Sequence, residues 1–387
     1  MPAGDLRCSR LSRRRDCMKR VLQIGILLGL LIGCRIAGAH VFPVTDTTFR
    51  GITSGSLTAI KPVDPDLIPE GRKLLNYLDS VYGKKVLTAQ EGRDNAKEVY
   101  EASGKYPAIL SLDLSGWTRD KWNDQYRRIL DNTVEDLKKW HENGGIVSMQ
   151  WHWANPLSKQ GTYKATKSDF EPKIDVGKVV TPGTREHKAA MKDMRKHGDI
   201  LERFAEAGIP ILWRPLHEID GGWFWWTDHE KPENTARLWR MMYDYYVNER
   251  GLHNLIWVYS AGLHCGQGKD VEAVEYRKRF YPGAKYVDIA GIDIYPNDWF
   301  GWPHFRDSGY SRAHRIMQKV APGKMLALCE AGGIPDPRKM DDPDTRWLYC
   351  LSWWAGGKKF KPEWIEQTYR HDLMLTRDDL PDWIGGK

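Results

Sequence analysis

The sequence predicts an α/β protein whose parallel strands close into a single (β/α)8 barrel. Strand-like apolar runs alternate with helix-like segments about eight times over roughly 300 residues, which is the number of units that closes such a barrel. Residues that can carry chemistry stand at the ends of many of these runs, as on the rim of a barrel. A doubly wound open sheet is the alternative, but no glycine-rich phosphate turn follows the first predicted strand.

The predicted elements follow from apolar runs and from helical periodicity. The predicted strands cover residues 85–90, 108–114, 146–151, 210–216, 255–260, 286–295, 325–330 and 349–354. The predicted helices cover residues 95–103, 123–142, 184–207, 232–249, 270–280, 311–320 and 362–373. Asn143, Gly144 and Gly145 end the second of these helices in a typical stop signal. A long polar loop at 154–183 separates the third strand from the next helix.

The N-terminal part of the chain has the features of an export signal. The formal net charge is +7, and residues 1–39 carry eight Lys or Arg against two Asp. A basic segment at 13–20 precedes an apolar segment at 21–32, which is too short to span a bilayer comfortably. An A-G-A sequence ending at residue 39 resembles a signal-peptidase site, whereas L-I-G-C ending at Cys34 resembles a lipoprotein signal whose cysteine is acylated.

We therefore expect an exported bacterial protein that is secreted, periplasmic or an outer-membrane lipoprotein. Its contact with a membrane is expected only through a lipid anchor at Cys34, and an N-terminal membrane anchor is the alternative. Residues 1–39 are then a signal peptide, 40–69 an extended segment rich in Thr, Pro and Gly, and 70–387 the barrel domain.

Charge and cysteine content exclude several classes of protein. The remaining chain is nearly neutral and shows no basic patch, so we expect no nucleic acid partner. Cys265, Cys329 and Cys350 lie beyond the signal, an odd number that permits at most one disulfide. The spacing of Cys and His predicts no zinc site, and we expect a monomer without a cofactor.

The segment 212–226, L-W-R-P-L-H-E-I-D-G-G-W-F-W-W, has the clearest chemical signature. A buried strand ends near His217 and Glu218, and a Gly-Gly turn leads into four aromatic residues. Aromatic rings pack against the C–H face of a pyranose, and burial raises the pKa of a carboxyl towards that of a general acid. Glu330 ends the seventh predicted strand, across the barrel mouth. One carboxyl then protonates a glycosidic oxygen, and the other attacks the anomeric carbon or activates a water.

The chain also resembles glycoside hydrolase family 26. The resemblance rests on W-R-P-L-H-E at 213–218, the G-W-F-W-W that follows and L-C-E-A-G at 328–332, and it extends from about Leu74 to Tyr369. That family consists mainly of β-1,4-mannanases on (β/α)8 barrels with catalytic Glu residues on strands 4 and 7. The resemblance implies that Glu218 is the general acid/base and Glu330 the nucleophile of a retaining mechanism acting on mannan, glucomannan or galactomannan.

Three further residues near the catalytic pair receive roles from the resemblance. The family belongs to a larger clan of (β/α)8 retaining hydrolases, and His217 stands where most members of that clan have Asn. His217 would contact the sugar and orient the catalytic groups. Tyr295 would donate a hydrogen bond to Glu330. Trp223 would lie near the acid, on the leaving-group side.

The glycone side receives its residues from the same resemblance. Trp354 would be the platform under the sugar being cleaved. Because Trp353 and Trp354 alternate faces, one of them is expected in the site and the other in the core, and we assign Trp354 to the site and Trp353 to the core. His152 and Trp151 would help to line the glycone side. From the strand pattern alone, Arg214 is expected on the same strand face as Glu218, where it would set the electrostatics within the barrel. Asp113 and Asp293 are further candidates for inward-facing residues, without an assigned role.

Other substrates and one other function remain open at this stage. The same fold and mechanism would serve a β-1,3-xylanase or a mixed-linkage β-glucanase. A catalytically silent polysaccharide-binding lipoprotein is the third hypothesis, although the presence of both carboxylates speaks against it. Endo or exo action and tolerance of galactose branches depend on the loops at 154–183 and 297–308.

Overall fold

The computed structural model describes residues 60–262, 270–295, 310–340, 342–355 and 361–384. The strands are β1 (Val86–Glu91), β2 (Ile109–Asp113), β3 (Ile146–Trp151), β4 (Ile211–Pro215), β5 (Leu255–Gly262), β6 (Ile289–Ile294), β7 (Met325–Ala331), β8 (Tyr349–Ser352) and β9 (Met374–Leu375). The α-helices are α1 (Pro69–Val81), α2 (Arg93–Ser103), α3 (Asp124–Glu142), α4 (Val176–Val179), α5 (Arg185–Ala205), α6 (Pro232–Tyr243), α7 (Asp270–Lys278), α8 (Ser311–Val320) and α9 (Pro362–Tyr369).

Strands β1 to β8 form a closed parallel barrel. Each strand pairs with its successor in the sequence, β8 pairs with β1, and β1 pairs with β2 to complete the ring. The short β9 pairs in parallel with the start of β1. The predicted (β/α)8 barrel is therefore confirmed, and the open-sheet alternative is excluded.

Side chains alternate between the interior of the barrel and the layer between strands and helices. Apolar residues such as Leu87, Leu212 and Val258 fill the interior, and Leu74 and Leu78 of α1 belong to the same cluster. Because both faces of each strand are covered, the strands read as continuous apolar runs rather than as alternating patterns. A second cluster packs the outer faces of the strands against the helices.

Helix α1 and strand β9 were not predicted. The predicted helix 232–249 is α6 followed by a π-helical segment, Asp244–Glu249. Short 3-10 helices occur at Tyr163–Thr166, Ala284–Tyr286, Pro337–Lys339, Pro343–Thr345 and Arg377–Asp379.

Several predicted features lie outside the described residues. These are the signal peptide with Cys34, the first part of the extended segment, Cys265 and the loop 297–308. Cys329 and Cys350 are both buried and free. Among the helices in the described ranges, none is both long enough and apolar enough to cross a membrane.

Candidate active site

The carboxyl ends of the barrel strands bring a polar and aromatic group of side chains to one mouth, as the parallel topology requires. Strands β1, β2, β6 and β7 each carry a carboxylate within their last two residues, and the segments that follow β3, β4, β6 and β8 supply further side chains. The group comprises Glu91, Asp113, His152, His217, Glu218, Tyr295, Glu330, Trp353 and Trp354.

A local irregularity in β7 aims Glu330 into the barrel. Leu328 pairs with Ile292, but the next pair along the two strands is Asp293 with Glu330, so Cys329 is an extra residue in β7. A bulge of this kind turns the following side chain to the other face of the sheet. Cys329 and Glu330 consequently both face inwards, the first to the interior apolar cluster and the second to the mouth.

Glu330 is buried and held by two donors. The guanidinium of Arg214 donates to Oε1 at 2.5 Å, and the hydroxyl of Tyr295 donates to Oε2 at 2.5 Å. Arg214 also donates to Asp293 Oδ2 at 3.0 Å and to the side-chain oxygen of Gln150. Each carboxylate oxygen of Glu330 therefore has a fixed donor, which orients the group and leaves its charge paired with a cation.

Glu218 lies in a strained turn directly after β4. Leu216 and Glu218 both have φ of +49°, a left-handed conformation that costs a non-glycine residue about 1–2 kcal/mol. Strain of this kind is concentrated at functional sites, where the surrounding structure enforces it. The glycine turn that follows brings Trp223 back to Glu218, and a Cβ on Gly221 would lie 2.4 Å from the Trp223 ring. The indole N–H of Trp223 donates to Glu218 Oε2 at 2.5 Å.

The pKa of Glu218 is raised to about 8, chiefly by burial and secondly by the nearby charge of Glu330. The hydrogen bond from Trp223 and the charges of Lys167 and Arg214 act in the opposite direction, but they are smaller effects. Two carboxyl groups that interact in one site, one protonated near neutral pH and the other bound by a cation, can divide the roles of acid and nucleophile.

Two imidazoles lie next to each other at the same mouth of the barrel. His152 Nε2 and His217 Nε2 are 3.0 Å apart, and the backbone N–H of His152 donates to Asp113 Oδ1 at 3.1 Å. His152 Nδ1 contacts Asp113 Oδ2. His217 is buried against Phe224, whose ring centroid is 5.0 Å from its own.

Aromatic rings surround the mouth. Trp354 lies 5.8 Å from Tyr295 between ring centroids, and Trp353 lies 6.0 Å from His152. Both tryptophans are half-buried, so the prediction that Trp353 faces the core is wrong. Trp117 and Tyr163 were not predicted; they are 43% and 49% exposed and lie 5.2 Å and 5.7 Å from His152.

The long loop 154–183 is attached to the aromatic segment beside Glu218. Lys167 forms a β-bridge with Phe224, and Ser168 donates its backbone N–H to Trp223 O at 3.0 Å. The Lys167 ammonium lies 4.4 Å from the centroid of Phe224 and donates to the Tyr163 hydroxyl at 2.6 Å. Lys167 therefore brings a positive charge close to Glu218, which no periodic signal in the sequence indicates.

Trp151 does not join this group, contrary to its predicted place on the glycone side. It is 1% exposed, stacks on Trp153 at 4.3 Å between centroids and packs on His197 of α5 at 3.8 Å. The reason is strand alternation: Gln150 faces the interior and contacts Arg214, so the next residue faces the helices. Trp151 is a core residue between β3 and α5.

Comparisons with known proteins match the part of the chain that forms the barrel. The family model described as glycosyl hydrolase family 26 matches residues 63–379. A mannan endo-1,4-beta-mannosidase B from Piromyces sp is 30% identical over 334 residues, which cover 83% of this chain and 54% of that protein. A mannan endo-1,4-beta-mannosidase from Bacillus subtilis is 28% identical over 357 residues, covering 86% of this chain and 92% of that protein.

Solved structures are similar over the same extent. The crystal structure of a beta-mannanase from a symbiotic protist of the termite Reticulitermes speratus, complexed with gluco-manno-oligosaccharide, has a TM-score of 0.68 and 27% identity. It covers 83% of this chain and 98% of its own. The chain spans about half the length of the first curated relatives that it matches, with 54% and 50% of the two Piromyces proteins covered.

Proposed function

Because this chain belongs to glycosyl hydrolase family 26, we propose that it hydrolyses β-1,4-mannosidic linkages of mannan, glucomannan or galactomannan with net retention. The observation that carries the proposal is the pair of unlike carboxyl groups at one barrel mouth. Glu218 has a pKa raised to about 8, whereas Glu330 is bound by Arg214 and Tyr295. The relatives named as mannan endo-1,4-beta-mannosidases support the choice of substrate.

In the proposed first step, Glu330 attacks the anomeric carbon while Glu218 gives its proton to the departing glycosidic oxygen. The C–O bond of the linkage breaks, the leaving chain departs as an alcohol, and a glycosyl ester forms on Glu330. Arg214 and Tyr295 orient the attacking carboxylate through their bonds to its two oxygens. Because both donors are already in place, the carboxylate of Glu330 does not need to reorient as the ester forms.

In the second step, Glu218 takes a proton from the water that attacks the ester, and Glu330 leaves as a carboxylate. Formation of the ester removes the negative charge of Glu330, and that charge is one of the causes of the raised pKa of Glu218. The pKa of Glu218 consequently falls in the intermediate, so the residue that served as an acid becomes a better base. The charge of one carboxylate thus sets the protonation of the other at each step.

The surrounding residues are proposed to bind the sugars. Trp223, which donates a hydrogen bond to Glu218, would contact the leaving group. Trp354, which lies beside Tyr295, would be the platform under the sugar being cleaved. His152 would contact the glycone, together with the exposed rings of Trp117 and Tyr163. The proposed roles of Glu218 and Glu330 are filled by carboxyl groups of the chain, so no cofactor is proposed.

The test of the proposed function is the substitution Glu330→Gln, which keeps the shape of the side chain but removes the nucleophile. We expect kcat on mannohexaose and galactomannan to fall by at least about 10³-fold. Glu275→Gln is the control, because Glu275 is an exposed glutamate of α7 whose carboxylate pairs with Lys278 at 2.9 Å. Nearly unchanged turnover of Glu330→Gln would remove the nucleophile assignment.

Substrate and mode of action are tested with the wild-type protein. A panel of mannan, β-1,3-xylan and mixed-linkage glucan separates the three proposed specificities by the reducing sugar released. A timed product profile on mannohexaose distinguishes cleavage within the chain from removal of terminal sugars. A pure protein that binds these polysaccharides and releases no sugar would favour the silent binding protein.

We also propose that the protein is exported, with residues 1–39 as a signal peptide, 40–69 as an extended segment and 70–387 as the barrel domain. Acylation at Cys34 and cleavage after residue 39 predict different masses for the mature N-terminus. Mass spectrometry of protein purified from the native host therefore distinguishes a lipid-anchored from a free enzyme.

A further inference from the structure

Three side chains from neighbouring strands form a continuous hydrogen-bonded row at the mouth. Asp113 ends β2, His152 follows β3 and His217 follows β4. Asp113 Oδ1 accepts the backbone N–H of His152 at 3.1 Å, and Oδ2 contacts His152 Nδ1. His152 Nε2 lies 3.0 Å from His217 Nε2, with the ring centroids 4.1 Å apart.

The two contacts of Asp113 define where its neighbour carries a proton. An ionised carboxylate only accepts hydrogen bonds, so His152 Nδ1 must carry a hydrogen. Oδ1 of Asp113 accepts a backbone N–H and Oδ2 faces His152 Nδ1, so both oxygens of Asp113 are in contact with nitrogen atoms of His152. Asp113 is therefore the acceptor in both contacts.

The contact between the two rings then has one favourable arrangement. Two nitrogens 3.0 Å apart need a single hydrogen between them. If His152 is neutral, its Nε2 is bare and His217 Nε2–H donates to it, which leaves His217 Nδ1 without a hydrogen. His217 Nδ1 is buried and has no hydrogen-bond partner among the described residues. The opposite arrangement would place an unsatisfied N–H at this buried position, which is the less favourable choice.

His217 is also the residue between the two strained positions of the turn. Leu216 and Glu218 both have φ of +49°, and the carbonyl of His217 accepts the indole N–H of Trp226 at 3.2 Å. A fixed His217 ring therefore holds the backbone from which the Glu218 side chain projects. The row connects this backbone to the end of β2, two strands away.

We propose that Asp113 is a positioning residue that fixes the proton positions of the His152–His217 pair and, through them, the turn that carries Glu218. The kinetic part of this inference rests on the proposed hydrolase function. The proton arrangement does not depend on turnover, because it is a property of the protein without substrate.

The test is Asp113→Asn, which changes one acceptor oxygen into a donor with almost no change of shape. The remaining oxygen must accept the backbone N–H of His152, which cannot lose its hydrogen, so the new amide N–H faces His152 Nδ1. His152 then carries its hydrogen on Nε2 and opposes the Nε2–H of His217. We expect the ring pair to separate and kcat/KM on mannohexaose to fall about 10- to 100-fold, mainly through kcat.

The spectroscopic measurement is the tautomer of each ring, read from the ¹⁵N shifts of protein labelled at its twelve histidines. The signals of His152 are identified by their loss in His152→Gln. We expect Nδ1–H on His152 and Nε2–H on His217 in the wild type, and a change of His152 to Nε2–H in Asp113→Asn. A wild-type His152 that bears its hydrogen on Nε2 alone, or on both nitrogens at pH 7, would overturn the inference even if the variant did not fold.

Asp288→Asn is the matched control. Asp288 is also buried and accepts two backbone N–H groups, from Val63 at 2.8 Å and Trp257 at 2.9 Å, but it precedes β6 at the other end of the barrel. It should lose thermal stability and leave both imidazole tautomers and kcat/KM unchanged. Equal kinetic effects in the two variants would show a general loss of structure and overturn the role of Asp113. A wild-type protein inactive on every mannan would count against the proposed function, while the tautomers would still decide the inference.

Discussion

The hydrogen bond from Trp223 to Glu218 predicts how the activity depends on pH. In the proposed mechanism Glu218 must be protonated to act as the acid, so kcat/KM should fall as the pH rises through its pKa of about 8. The indole N–H stabilises the ionised form of Glu218, since it donates to Oε2 at 2.5 Å. Trp223→Phe removes that donor and keeps an aromatic ring, so the pKa of Glu218 should rise and activity should persist to higher pH.

The size of the effect follows from the energy of the bond. A hydrogen bond to a charged group contributes about 1.5–3 kcal/mol, and 1.36 kcal/mol corresponds to one pKa unit. Because Glu218 is half-buried, water replaces part of the lost interaction. We therefore expect the alkaline limb of the pH profile, where kcat/KM falls with rising pH, to move up by about one pH unit. The limb should therefore lie near pH 9 in the variant and near pH 8 in the wild type.

The assay is the pH dependence of kcat/KM on a manno-oligosaccharide between pH 5 and 11, which reports groups of the free enzyme. Trp364→Phe is the control, because its indole N–H donates to the carbonyl of Ile334 at 3.1 Å, outside the candidate site. A higher KM alone would reflect lost sugar contact and would not move the limb. An alkaline limb of Trp223→Phe that stays in place or moves to lower pH would refute the assignment of Glu218 as the acid.

Two further substitutions test the loop and the core. Lys167→Met removes a positive charge that lowers the pKa of Glu218, so it should also move the alkaline limb to higher pH. Added salt should reduce the difference in this pH between the variant and the wild type. A difference that salt does not change would argue against an electrostatic role of Lys167. Trp151→Ala should lower the free energy of unfolding by about 3–5 kcal/mol, measured in urea, because the buried ring packs on Trp153 and His197. The KM of the folded Trp151→Ala enzyme should change little, and a large rise would restore Trp151 to the substrate-binding residues.

The barrel was predictable because each parallel strand is buried on both faces. The predicted strand 146–151 has the bounds of β3, and the predicted helix 311–320 has those of α8. Helix α1 was missed because the extended segment rich in Thr, Pro and Gly was taken to reach residue 69, immediately before it. The spacing of Leu74, Leu75 and Leu78 is helical, and all three leucines are buried, so the signal was present. Strand β9 has only two residues and gives no such signal.

The residue types of the candidate site were predictable from the sequence, but the directions of its side chains were not. Alternation along β3 was enough to place Gln150 inside and Trp151 outside, and the prediction for Trp151 overlooked it. In contrast, regular alternation does not set the direction of either glutamate. Strand β4 ends at Pro215, and the left-handed residues that follow it set the direction of Glu218 rather than its spacing from Arg214.

The bulge in β7 shows why the site needed the three-dimensional structure. Strict alternation from Met325 through Ala327 and Cys329, all in the interior cluster, would direct Glu330 outwards to the helices. The extra residue at Cys329 reverses this, and the charge of Glu330 then pairs with Arg214 inside the barrel. An irregularity of one residue is invisible in an apolar run such as M-L-A-L-C, because every position in it is buried whichever face it takes. The two carboxyl groups therefore meet through local departures from regular strand geometry, a left-handed turn on one side and a bulge on the other, that the regular barrel around them holds in place.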